Sequence, residues 1–182
     1  MKDVRSMVYC SMFAVLIAVG AFIKIPVSIV PITMQTLFVV MAGLLLGRKK
    51  AFLAVLIYII IGLIGLPIFA NGGGIAYVLQ PTFGYLIGFL VVAYCIGFLS
   101  EKRRDFISML VISIVGMLII YIIGMLYFAF VQNLYYGLTF KMSWILYYLF
   151  LVYVPGDILS CIVGVLISRR LLKVESIRQI RN

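Results

Sequence analysis

The stretch LVYVPGDILS, residues 151–160, decides how the last third of this chain folds. It sits in an apolar run from Ser143 to Ser168 that would measure about 39 Å as one straight helix at 1.5 Å per residue. A bilayer core about 30 Å thick takes roughly 20 helical residues. A break at Pro155-Gly156 removes the excess, because proline is poor inside a helix and well placed in its first turn. The final span then runs from about Val154 to about Leu171. The preceding SWILYYLFLV becomes a separate short helix in the outer interface, where Trp and Tyr residues are favoured. The same break puts Asp157, alone among acids between Asp105 and Glu175, in the first turn of the last span.

Composition supports the membrane reading. Of the 182 residues, 66% are hydrophobic and 11% charged, too little polar surface for a soluble domain of this size. The expectation is an all-α membrane protein, one domain over 1–182, with six transmembrane helices. The first five run from about Met7 to Ile23, Met34 to Leu46, Ala51 to Phe69, Thr82 to Ser100 and Phe106 to Val131. The second is short for a full crossing, so it either starts nearer Val30 or passes through a protein-buried, thinned region.

The formal charge of +10 carries topology. Thirteen of fifteen Lys and Arg fall at the amino terminus (Lys2, Arg5), in two short turns (Arg48–Lys50, Lys102–Arg104) and in the tail from Arg169 to Arg181. Only Lys24 and Lys141 fall on the alternate loops. Both termini are therefore expected in the cytoplasm. Nucleic-acid binding is excluded, because no soluble basic face with interleaved aromatics exists. The three outer loops are longer than the inner turns GRKKA and EKRRD and form the expected working face.

Candidate ligand groups collect on that face. PITMQT brings Thr33, Gln35 and Thr36 to the entrance of the second span. ANGGGIAYVLQPTFGY brings Asn71, Tyr77, Gln80, Thr82 and Tyr85 to the fourth, with Gly72–Gly74 allowing close backbone approach or serving as a linker. Asp157 either caps its own helix or faces a guest, and an acid inside an apolar span usually serves function. No cation lies near it in sequence, so an external N–H donor fits. Ala14, Ala18 and Gly20 or Ala21 recur on one face of the first helix, which suits close helix contact, internal or with a partner.

Other classes lack their parts. There is no histidine, and no paired intramembrane carboxylates exist for an enzyme mechanism or a metal site. Cys10, Cys95 and Cys161 are scattered in apolar sequence and read as buried hydrophobes. No phosphate-binding loop is present, so ATP use must be borrowed, and no cofactor is implied. No inverted repeat marks an autonomous carrier.

The segments VPITMQTLFVVMAGLLLG (30–47), GLIGLPIFANGGG (62–74), PTFGYLIGF (81–89) and VPGDIL (154–159) are similar, in order and spacing, to the BioY family of biotin-specific substrate-binding (S) components of energy-coupling factor (ECF) transporters. The resemblance covers essentially the whole chain. It implies a multi-pass protein of a prokaryotic plasma membrane that binds biotin in a pocket near the extracytoplasmic face. It also implies a transmembrane coupling subunit and two cytosolic ATPases as partners. Asp157 is carried over as a ligand contact, Asn71 as the polar contact of the glycine-rich loop, and Ala14 and Ala18 as the docking face for the coupling subunit. Two departures stand out: Ser160 occupies a position where many members carry Lys, and QPTFGY replaces the usual GPTGGY, so Gln80 and Phe83 alter the pocket wall. The alternatives are an S component for another biotin-like or carboxylate vitamin, or an autonomous small-molecule carrier.

Overall fold

The computed structural model of the chain describes residues 2–26, 30–138 and 140–174. Six long helices carry the fold: α1 (Lys2–Phe22), α2 (Gln35–Leu46), α3 (Arg48–Ile64), α4 (Phe83–Leu99), α5 (Phe106–Leu134) and, after the short α6 (Met142–Leu146), α7 (Val154–Leu171). Three runs, Val4–Phe22, Phe106–Leu134 and Ser143–Leu171, are long and apolar enough to cross a membrane.

The 12-residue α2 is the centre of the bundle. At about 18 Å it is too short to cross a bilayer core alone. All of its residues except Phe38 are buried, and it packs on α1, α3, α4, α5 and α7. A helix jacketed by protein has no lipid to match, and the irregular backbone before it is tolerated for the same reason. That backbone is a two-stranded antiparallel ribbon, unanticipated from sequence: β1 (Lys24–Ile25) pairs with β2 (Ile32–Thr33). The Met34 N–H donates to the Gly20 and Ile23 carbonyls at 3.1 and 3.2 Å, which ties the ribbon to the end of α1.

The basic end differs in detail from expectation. Arg48, Lys49 and Lys50 are the first turn of α3, not a loop. Gly47 alone joins α2 to α3, with φ +76°, a backbone geometry that penalises any Cβ. Arg48 Nε meets Glu101 Oε1 at 3.2 Å on the surface. Asp105 caps α5 by accepting the Ser108 N–H at 2.8 Å, and that bond holds its carboxyl below the usual range. Arg178 and Arg181, counted in the charge bias, lie outside the described residues.

At the carboxyl-terminal break, α6 runs into a π-helical turn at Tyr147–Leu151, and α7 starts at Val154 with Pro155 in its first turn. The Trp144 ring packs at a tilt against Phe140 and Tyr148, with centroids 4.7 and 4.9 Å away, building an aromatic cap over this end of the bundle.

Candidate functional site

A cavity opens where the amino-terminal ends of α2, α4 and α7 meet the middle of α5. Val30, Ile32 and Thr33 from the ribbon cover it, as do Ala70 and Tyr77 from the α3–α4 connection. The α7 contribution follows from the proline. Pro155 can occupy the first helical turn because its missing N–H has no helical partner there. Two residues later the Asp157 N–H closes the first bond, to Tyr153 O at 3.0 Å, and its side chain turns into the bundle.

Asp157 is buried, and no Lys or Arg is among the described residues that line the cavity. Its donors are hydroxyls: Tyr121 Oη donates to Oδ2 at 2.5 Å, and the Thr36 hydroxyl bonds the same carboxylate. The positive end of the α7 dipole adds to this neutral, donor-rich environment. A carboxylate has about four lone-pair sites, so two hydroxyls leave acceptor capacity toward the cavity.

The polar groups on the ribbon side form a second, self-satisfied set. Gln35 Nε2 donates to Tyr58 Oη at 2.8 Å, and its Oε1 accepts from Thr33 Oγ1 at 3.2 Å. Thr82 Oγ1 donates to Tyr77 Oη at 3.0 Å. Tyrosines pin the walls: Tyr85 Oη donates to Leu149 O at 3.3 Å, and Tyr153 Oη to Val30 O. The remaining walls, Leu86, Phe89 and Ile120, are apolar. Such a site suits a compact apolar guest that presents N–H donors to one carboxylate.

The sequence-derived candidates divide. Thr33, Gln35, Tyr77, Tyr85 and Asp157 line the cavity together, joined by Thr36 and Thr82. Asn71 is exposed and off the lining, although its backbone N–H reaches the Tyr77 hydroxyl. Gln80 and Ser160 are half-buried and also off the lining. The triple glycine does not present amides to the cavity. Instead the loop folds back on α3, with Gly74 N–H donating to Gly62 O at 2.7 Å and φ values of +117° and +95° at Gly72 and Gly74. On α1, Ala14 is buried in the core and Ala18 half-buried, while Ser11, Met12, Val15 and Val19 form the open face.

Tyr121, Tyr153 and Phe89 escaped the sequence reading. Tyr121 carried a signal: a phenol in the middle of a 29-residue apolar helix must find a partner for its hydroxyl. Lys24, from the first outer loop, comes close to the site. Its ammonium donates to the Ala70 carbonyl, at the rim of the lining.

The BioY family model matches residues 1–176. The probable biotin transporter BioY of Lysinibacillus sphaericus is 45% identical over 180 residues, covering 95% of this chain and 89% of that protein. The biotin transporter BioY of Thermotoga maritima is 45% identical over 103 residues, 56% of this chain and 61% of that protein. A crystal structure of the S-component for biotin from an ECF-type ABC transporter superposes with a TM-score of 0.88 at 29% identity, covering 99% of this chain and 97% of that one. Matched along nearly its whole length in both sequence and fold, this membrane protein belongs to the BioY family.

Proposed function

We propose that this chain is the biotin-capturing S component of an ECF importer, crossing a prokaryotic plasma membrane several times and taking its guest from the outer side. The observation that carries the reading is Asp157: a buried carboxylate on a cavity wall, held by two hydroxyls, with no cation among the described lining residues. The ureido ring of biotin supplies the N–H donors that such a carboxylate accepts, and charge makes those bonds strong. Tyr85, Phe89 and Tyr153 would pack the bicyclic ring, and Thr33 and Gln35 would border the chain that follows it. Lys24, exposed at the rim, is the cation in reach of the vitamin's carboxylate, in the absence of one at Ser160.

Binding alone does not drive import, and the chain carries no phosphate-binding loop. A transmembrane coupling subunit and two ATPases are therefore its partners in this reading. The open face of α1 around Ala18, flanked by Val15 and Val19, is the docking surface proposed for the coupling subunit. Reading the basic end as cytoplasmic puts the cavity on the outer side, consistent with the positive-inside bias.

The test is biotin binding by the purified chain, followed by uptake into vesicles holding the chain with and without the coupling and ATPase subunits. Biotin bound by the chain alone, with uptake only in the full set, is the expected result. Failure to bind biotin would overturn the reading. A different biotin-like vitamin is the second reading, favoured by the absence of Lys and Arg among the described residues that line the cavity, which removes a direct partner for biotin's carboxylate, and a competition panel of biotin analogues separates the two.

A further inference from the structure

At the basic end, opposite the site, a groove runs between the end of α4 and the start of α5. Leu99, Ile107, Val111 and Ile112 line it, with Arg103 and Ser108 at its mouth. Leu99, Ile107 and Val111 are exposed. The apolar surface continues up α5 through Val115, Ile122, Leu126 and Phe130, spaced so that one face of the helix offers an unbroken track. On a membrane protein that track faces acyl chains.

The mouth has the opposite character. Lys102, Arg103 and Arg104 are consecutive and exposed. Of the acids beside them, Glu101 pairs with Arg48, while Asp105 accepts the Ser108 N–H and offsets part of the Arg103 charge, which leaves Lys102 and Arg104 to make the mouth net positive. Arg103 Nη1 reaches Ser108 Oγ at 3.5 Å, which brings a guanidinium and a hydroxyl together above the apolar floor. From the neighbouring element α7, Arg169 lies 5.9 Å over the Phe106 ring, adding positive charge at the same helix start. A groove with a cationic, hydroxyl-bearing mouth and an apolar floor matches a phosphate head on an acyl tail.

We infer that this groove is a binding site for an anionic phospholipid, with the headgroup phosphate on Arg103 and the Ser108 hydroxyl and one acyl chain along Leu99, Ile107 and Val111. Guanidinium suits phosphate because its fork offers paired donors. The site is independent of the cavity at the other end of the bundle and of what that cavity binds.

The experiment is native mass spectrometry of the delipidated chain titrated with phosphatidylglycerol or phosphatidylcholine of identical acyl composition. The expected result is preferential retention of phosphatidylglycerol. Arg103→Gln lowers that retention about fivefold, the change that corresponds to roughly 1 kcal/mol per interfacial cation. Arg103→Lys keeps most of it, and Arg5→Gln, a cation on α1, leaves it unchanged. Val111→Trp, which fills the groove, lowers retention of both lipids. Inorganic phosphate in millimolar excess does not compete, because the acyl chain supplies much of the hold. Equal retention of the two lipids, equal losses in R103Q and R5Q, or full competition by inorganic phosphate would each overturn the assignment.

Discussion

Tyr121 and Asp157, 36 residues apart in sequence, meet in a 2.5 Å hydrogen bond between the middle of α5 and the first turn of α7. The bond fixes Oδ2, and with the Thr36 hydroxyl on the same carboxylate it still leaves acceptor capacity facing the cavity. Tyr121→Phe keeps the ring against Phe150, 5.2 Å away edge to face, and removes only the hydroxyl. A hydrogen bond to a charged group contributes about 1.5–3 kcal/mol. Biotin affinity is expected to fall roughly tenfold, by equilibrium binding, with the helical circular dichroism unchanged.

Lys24 separates the two ends of the proposed guest. Lys24→Met removes the only cation whose bonds reach a lining residue among those described. Affinity for biotin should drop roughly tenfold, the scale of one charge-assisted contact at an exposed rim. Affinity for biotin amide should hardly change, so a parallel titration of acid and amide checks the assignment.

The cavity wall depends on a missing side chain. At Gly124 on α5, an added Cβ would sit 2.7 Å from three atoms of the Tyr85 ring. Gly124→Ala therefore pushes Tyr85 off its bond to Leu149 O and into the cavity. Overpacking of this kind costs about 1–3 kcal/mol. Thermal unfolding of the detergent-solubilised variant should come earlier, and biotin binding should weaken more than tenfold.

Ser168 makes a contrasting case on the far half of α7. Its hydroxyl is fully buried and has no partner among the described residues, so Ser168→Ala removes an unsatisfied polar atom. Thermal unfolding should come at the same or a higher temperature, with biotin affinity unchanged, because an unpaired buried hydroxyl costs about 1–3 kcal/mol.

What was legible in the sequence follows from how local the signals are. The break before α7 could be read because Pro155 and the excess length act on the same few residues. The cavity set on α2 could be read because Thr33, Gln35 and Thr36 cluster at one chain entrance. Tyr121 could not be paired with Asp157, since nothing in a uniformly apolar helix marks which face meets α7. The ribbon of β1 and β2 was missed because two-residue strands leave no periodicity. Asn71 was placed by resemblance, yet the glycine loop turns its side chain to the surface and delivers Ala70 and Tyr77 to the cavity instead. Ala14 shows that small-residue spacing marks close packing without saying whether the neighbour is internal.

The account stands most directly on isothermal titration of the purified chain and its Asp157→Asn variant with biotin. Asparagine keeps the size and removes the charge, so the account predicts tight binding by the parent chain and a loss of about 10- to 100-fold in the variant, with the fold intact. Equal affinity of the two proteins would contradict it.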